Sequence, residues 1–159
     1  MNKSQGACIF CQIVAYKAPS SRAYEDDKVI AFLDVNPVTE GHALIIPREH
    51  YPDLADIPEE IAGHMFVVAQ HIAAAIRKSS LKSEGINLFY ADGEAAFQEI
   101  FHAHLHVFPR FKGDTFKIDA DWTNKPERLQ LDKLAQLIKD RMQPVSPRAK
   151  SIRGKGKED

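Results

Sequence analysis

Only two cysteines, one tryptophan and three methionines occur among the 159 residues, and the formal net charge is −1. Without a basic excess, nothing in the overall charge draws the chain to nucleic acid or to an anionic membrane surface. Its apolar runs fall well short of the roughly 20 residues that a bilayer-spanning helix needs. Met1–Gly6 is polar and has no apolar core of the kind a secretory leader carries. A cytoplasmic protein with no membrane and no nucleic-acid partner is therefore expected. The two cysteines, Cys8 and Cys11, form a Cys-x-x-Cys pair. A disulfide across so short a loop gains little, and in a reducing compartment this spacing points to metal or redox work. The apolar content, 44%, and the charged content, 27%, are those of an ordinary globular domain long enough to bury a core.

Hydropathy patterning predicts the elements in order. Cys8–Ala15 is a short segment of helix or turn character. Arg22–Glu25 and Val29–Asp34 read as two strands joined by the polar turn Asp26–Lys28. His42–Pro47 is a further strand. Asp56 is a candidate N-cap for a long helix, with Ile61, Met65, Val68, Ala69, Ile72, Ala73 and Ile76 at helical spacing. Ile86–Tyr90 and Glu99–Phe108 are strands, and Leu131, Leu134, Ala135, Ile138 and Met142 mark a second amphipathic helix. The order favours an α+β domain over residues 1–143: an antiparallel sheet with one long central helix and a C-terminal helix. Residues 144–159 are basic and are expected to form a disordered tail.

Three of the seven histidines, His102, His104 and His106, stand within five residues. On a strand, residues two apart share a face, so the three imidazoles line up on one side and Ala103, Leu105 and Val107 on the other. An apolar core strand has no use for three titratable rings in register, since burying them unpartnered costs several kcal/mol. Two chemistries suit the row. One is metal ligation, as in a zinc hydrolase using His102, His104 and a third ligand such as His42. The other is nucleophilic catalysis, with one imidazole attacking and its neighbours donating hydrogen bonds. Three same-face strand positions span roughly 13 Å, too far for all three to reach one ion at about 2 Å. His104, flanked on both sides, is the natural seat for an attacking ring.

The run His102-x-His104-x-His106, followed by Val107–Phe108–Pro109–Arg110, resembles the signature of the histidine triad superfamily. The upstream segments Ala31–Val35 and Gly41–Arg48 are similar to that family's other hallmark, in its order and separation, and the likeness covers about residues 8–112. Within the superfamily the chain is most similar to the bacterial branch near the Hint-type nucleotide-binding proteins. The resemblance implies hydrolysis or transfer at a nucleotide α-phosphate through a covalent nucleotidyl-histidine, with no metal required for catalysis. His104 would be the nucleophile, His106 a hydrogen-bond donor to the phosphate or leaving atom, and His42 a supporting group. Gln98 would contact the phosphate. Asp34 would hold the ribose hydroxyls, and Phe10, Phe32 and Val35 would form the slot for the base of a purine nucleotide or nucleotide conjugate. A homodimer is implied, the two sheets joined through the long helix and a neighbouring strand.

The resemblance also implies a structural zinc held by Cys8, Cys11, His50 and His102. Three positions depart from the family pattern. Ala91 stands where an Asn or Gln is frequent, Phe97 where glycine is usual, and Glu99 where a serine is associated with protonating the leaving group. These changes bear on the leaving group and on the alternative of a nucleotide-binding regulatory module with vestigial catalysis. They leave the nucleophile untouched.

Overall fold

The structure, a computed structural model, describes residues 8–145; most of the basic tail, residues 146–159, lies outside them. The chain divides into two compact units, Met1–Lys117 and Ile118–Asp159. The first holds a five-stranded antiparallel sheet of strands β1 (Arg22–Glu25), β2 (Val29–Leu33), β3 (Ala43–Pro47), β4 (Gly85–Tyr90) and β5 (Leu105–Arg110), in the order β1-β2-β3-β5-β4. It also holds the short helix α1 (Ile9–Val14) and the long helix α2 (Glu59–Lys78). The second unit carries α3 (Arg128–Lys139), an amphipathic helix with Lys139 in its last turn. Among the described residues no helix is long and apolar enough to cross a membrane.

Strand alternation decides what lies on each face of the sheet. Val29, Ala31, Ile45, Leu105 and Val107 form one cluster with Met65, Val68, Ala69 and Ile76 of α2. Ile30, Phe32, Leu44 and Ile46 form the other with Phe10 and Ile13 of α1. Leu44 sits opposite His106 in the β3–β5 register, so the histidine row belongs to the α1 side. Ala103, on the other parity, joins the α2 cluster with Leu105 and Val107.

The sequence expectation is corrected at α2 and at both ends of β5, and Met142 falls beyond the end of α3. Asp56 does not cap α2: Leu54–Asp56 is a 3₁₀ turn, and the helix begins at Glu59 after Pro58, with no side-chain cap. Pro58 has extended backbone, and its carbonyl accepts the first helical N–H groups, from Ile61 and Ala62. Glu59 and Glu60 in the first turn and Arg77 and Lys78 in the last complement the helix dipole. The second difference is β5, which starts at Leu105 rather than Glu99. Continuing the β3–β5 register beyond Ile45↔Leu105 would set Pro47 opposite Ala103. Pro47 has no N–H for the ladder, and its carbonyl instead accepts from the His102 ring. At its other end β5 runs on through Pro109, because β3 pairing stops at Ala43. Beyond that point the Pro109 carbonyl accepts from Thr39 Oγ1 at 2.7 Å.

Candidate active site and metal centre

His102 and His104 precede β5 with their rings on the α1 side, where Phe10 meets both edge-to-face at centroid distances of 5.8 and 5.3 Å. His104 is 6% exposed and His102 is fully buried. Each ring has one nitrogen committed to a carbonyl. His104 Nδ1–H donates to the His102 carbonyl at 2.8 Å, and His102 Nε2–H donates to Pro47 at 2.9 Å. A carbonyl can only accept, so these contacts set the tautomers. His104 Nε2 carries the lone pair and takes no part in that bond. Burial, the largest influence, lowers its affinity for a proton, partly opposed by the His102 carbonyl and Asp34. The ring is neutral at neutral pH.

A second chain of contacts orients His106. The Val38 N–H donates to His42 Nδ1 at 3.1 Å, so the His42 proton sits on Nε2, which meets His106 Nδ1 at 2.9 Å. His106 Nδ1 therefore accepts and its Nε2 bears the proton, ready to donate. Asp34 Oδ2 lies 3.6 Å from the same His42 Nδ1. That is beyond hydrogen-bonding reach, and Val38 already occupies the lone pair; burial outweighs the Asp34 charge and keeps His42 neutral. Asp34 Oδ1 accepts from the Asn36 N–H at 2.9 Å, pinning the loop after β2. Gly41, just before His42, has φ +90°, and a Cβ there would come within 2.7 Å of Leu81 Cδ1. The Leu81 methyl ends a flexible side chain and can move aside, so it is the positive φ that favours glycine at the turn that delivers His42.

Burial, with His104 and His42 nearby, pushes the His106 imidazole down to about 3. Between that value and the ordinary imidazole value of about 6.5 the unfolded chain binds the proton that the native chain refuses. This contribution to stability is thus fully present above pH ~6.5. It is lost progressively as pH falls, the loss being complete near pH 3. Denaturation midpoints recorded from pH 7 to 4.5 should fall, and His106→Asn should flatten the slope.

Cys8, Cys11, His50 and His102 place one donor atom each within 4.8 Å of one another. Cys8 Sγ and Cys11 Sγ are each 3.6 Å from His102 Nδ1, and Cys11 Sγ is 3.3 Å from His50 Nδ1. Bonds of about 2.3 Å to sulfur and 2.0–2.1 Å to nitrogen at tetrahedral angles set sulfur–nitrogen edges of about 3.5 Å, so the donor set fits zinc. Pro47 supplies the outer hydrogen bond that aims His102 Nδ1 inward. Burial and the neighbouring Cys8 raise the Cys11 pKa, so the metal-free Cys11 thiol holds a proton that zinc would displace. His102, His104 and His42 do not form a donor cluster among the described residues. The other acid–imidazole group, Asp34, His42 and His106, is tied up by the 2.9 Å ring contact between its two histidines.

The remaining positions singled out in the sequence divide. Phe10 and Phe32 are buried and meet edge-to-face at 5.6 Å, whereas Val35 is 90% exposed. Gln98 is buried with its carboxamide engaged by backbone: Oε1 accepts from Gly93, and Nε2 donates to Pro52 and Ile100. A direct phosphate contact would require it to give up one of these bonds. Phe97 adopts the left-handed backbone, φ 70°, that glycine favours, and its ring is turned to solvent. Glu99 is exposed and Ala91 is buried. Val38, Pro47 and Thr39 act through backbone atoms or a buried hydroxyl. Their residue types carry no signal of these roles, which only the folded register reveals.

The family description that matches the sequence is "HIT domain", over residues 15–113. Among curated proteins, "Protein hit" of Bacillus subtilis is 44% identical over 77% of this chain and 87% of its own length. "Adenylylsulfatase HINT3" of Arabidopsis thaliana is 39% identical over 84% and 66%, and "Adenosine 5'-monophosphoramidase HNT1" of Saccharomyces cerevisiae 35% identical over 84% and 80%. Among solved structures, a HIT family protein of Bacillus anthracis superposes with TM-score 0.79 at 38% identity, covering 86% of this chain and 97% of that one. A zinc-bound histidine triad family protein of Mycobacterium smegmatis does so with TM-score 0.68 at 42% identity, covering 86% and 99%.

Proposed function

The chain belongs to the HIT domain family, and we propose that it is a nucleotide hydrolase or transferase acting at the α-phosphate through a nucleotidyl adduct on His104. The observation that carries this reading is the commitment of His104 Nδ1–H to the His102 carbonyl at 2.8 Å, which leaves a neutral Nε2 lone pair. That lone pair forms the bond to phosphorus as the bond from phosphorus to the leaving nitrogen or oxygen breaks. The leaving atom keeps the electron pair and takes a proton from solvent. The adduct is cationic at the ring, and the His102 carbonyl facing Nδ1–H stabilises it. Water then attacks phosphorus, the phosphorus–nitrogen bond breaks, one proton returns to solvent, and His104 is restored with a nucleoside monophosphate as product. His106 Nε2–H, oriented by His42, donates to the α-phosphate or the leaving atom.

Asp34 would accept from the ribose hydroxyls of a purine nucleotide, and Phe10 and Phe32 would line the base slot with Val35 at its rim. Gln98 acts by holding the loop of residues 93–100. The adenylyl substrates named for the plant and yeast relatives support adenosine phosphoramidates and other adenylylated compounds as the substrate class, with dinucleoside polyphosphates alongside. Cys8, Cys11, His50 and His102 would hold a structural zinc, as the donor spacing and the zinc-bound Mycobacterium relative support. A closed four-donor centre supplies folding energy and no open coordination position. A cytoplasmic location and a homodimer belong to the same reading, and exposed apolar side chains support the second. Phe66 and Val67 of α2 and Leu88 and Phe89 of the edge strand β4 are exposed, and pairing of two copies would cover them.

Incubation with adenosine 5'-phosphoramidate tests the reading. AMP should accumulate, and a brief pulse of chelator should leave the rate within about tenfold, whereas a zinc hydrolase would stop. Asp34→Asn should raise KM about 10- to 100-fold, the worth of charge-assisted hydrogen bonds of about 1.5–3 kcal/mol. Absence of any AMP from this and from a dinucleoside polyphosphate would contradict the assignment.

A further inference from the structure

We propose that Phe10 is a positioning residue for His104, and that filling of the Cys8–Cys11–His50–His102 centre reaches the catalytic imidazole through it. The inference rests on the hydrolase reading above and adds a link between two sites that the reading treats as separate.

Phe10 lies between the two cysteine donors, in the first turn of α1. It is 4% exposed, and its ring stands at 79° to His104 and 77° to His102, edge-to-face with both. The same phenyl group therefore abuts a metal donor and the nucleophile. α1 has only six residues, too short to hold its own shape. Apart from apolar packing, its anchorage to the sheet includes the Ile13 carbonyl, which accepts from Arg22 at 2.7 Å. Arg22 holds the last turn, whereas Phe10 sits in the first, where the metal donors are.

His102 provides a matching link from the other side. Its ring points Nδ1 at both thiols, and its main-chain carbonyl accepts from His104 Nδ1–H. With zinc bound, the ring of His102 and the first turn of α1 would be fixed relative to one another, and Phe10, carried by that turn and in contact with the His102 ring, would be held against His104. With the centre empty, both walls loosen and the His104 ring gains freedom about the bond to His102. A nucleophile displaced by about 1 Å loses on the order of 10²-fold in rate, so partial loosening should cost about tenfold. Phe10 does no chemistry here; it acts through the orientation of its neighbour.

The test compares zinc-loaded and chelator-emptied samples of the wild type, Phe10→Leu and His50→Asn, at a temperature where circular dichroism shows each folded. His50 meets His102 edge-to-face, and among the described residues its ring contacts neither Phe10 nor His104, so His50→Asn removes a metal donor while leaving Phe10, His102 and His104 themselves unsubstituted. Two readouts are taken: the ¹⁵N-edited NMR signal of His104 Nδ1–H, and kcat separately from KM. In the loaded wild type the ring proton should be sharp. Emptying the wild type, or His50→Asn, should broaden it and lower kcat about tenfold, with KM moving less than about threefold. Phe10→Leu should show the same broadening and kcat loss while still binding one equivalent of zinc, with KM rising as well because the ring also lines the base slot, and emptying it should cost less than about twofold more in kcat. The proposal is overturned if zinc leaves the wild type with signal and kcat unchanged, or if the losses from Phe10→Leu and from emptying multiply. If Phe10→Leu does not fold, Phe10→Met, an unbranched apolar replacement that fills irregular gaps, takes its place with the same expected and overturning results. If no sample turns over nucleotide, the hydrolase reading has failed, and the ring-proton signal still shows whether Phe10 and the metal hold His104.

Discussion

His104→Asn should reduce turnover by about 10⁴-fold or more while leaving the affinity for AMP within about threefold of wild type. Asparagine is the informative replacement. Its amide N–H can still donate to the His102 carbonyl, which His104 Nδ1 meets at 2.8 Å, so that buried acceptor keeps a partner. What the variant lacks is a lone pair on a ring nitrogen aimed away from His102. The loss should therefore fall on kcat, with calorimetric binding of the monophosphate nearly unchanged. His104→Ala should abolish turnover too, but with an added stability cost from the unpaired carbonyl. A wild-type rate in either variant would remove His104 from the mechanism.

The second large effect concerns stability. Cys11→Ser should lower the melting temperature by about 10 °C or more, because structural zinc contributes its binding energy to folding. Cys11 is the central donor: its sulfur lies 3.3 Å from His50 Nδ1 and 3.6 Å from His102 Nδ1. Chelation of the wild type should reproduce the drop, and chelation of Cys11→Ser should add nothing. A folded sample of the variant should keep turnover within about tenfold, far above the residue left by His104→Asn. This contrast separates a metal that holds the fold from one that does chemistry. Metal analysis of chelator-free protein showing no zinc would dispose of the centre altogether.

Much of this architecture was readable from the residues. The alternation of His102, His104 and His106 with Ala103, Leu105 and Val107 fixes which side chains meet α2 and which meet α1, and the helical spacing of Met65, Val68, Ala69 and Ile76 identifies the long helix. Boundaries were less legible. β5 begins late because a proline in the neighbouring strand, Pro47, interrupts a ladder that only the register defines. Gln98 looked like a phosphate ligand from its place before the triad, yet its carboxamide is spent on Gly93, Pro52 and Ile100. Val35, placed with the base slot by resemblance, is exposed. Backbone groups were invisible altogether. The tautomers of four histidines are set by the Pro47 and His102 carbonyls and by the Val38 N–H. A side-chain alphabet carries no record of where a carbonyl will point. Phe97 is a milder case: the backbone keeps the left-handed shape that glycine would take, and the phenyl ring accommodates this by facing solvent.

Rapid quenching of a single turnover with adenosine 5'-phosphoramidate, followed by ³¹P NMR and peptide mass spectrometry under alkaline conditions, addresses the mechanism directly. An adenylyl group joined to Nε2 of His104 through a phosphorus–nitrogen bond, forming and decaying at rates that match turnover, is the predicted result. AMP release with no protein-bound phosphorus at any time, or with the adduct on another residue, would contradict it.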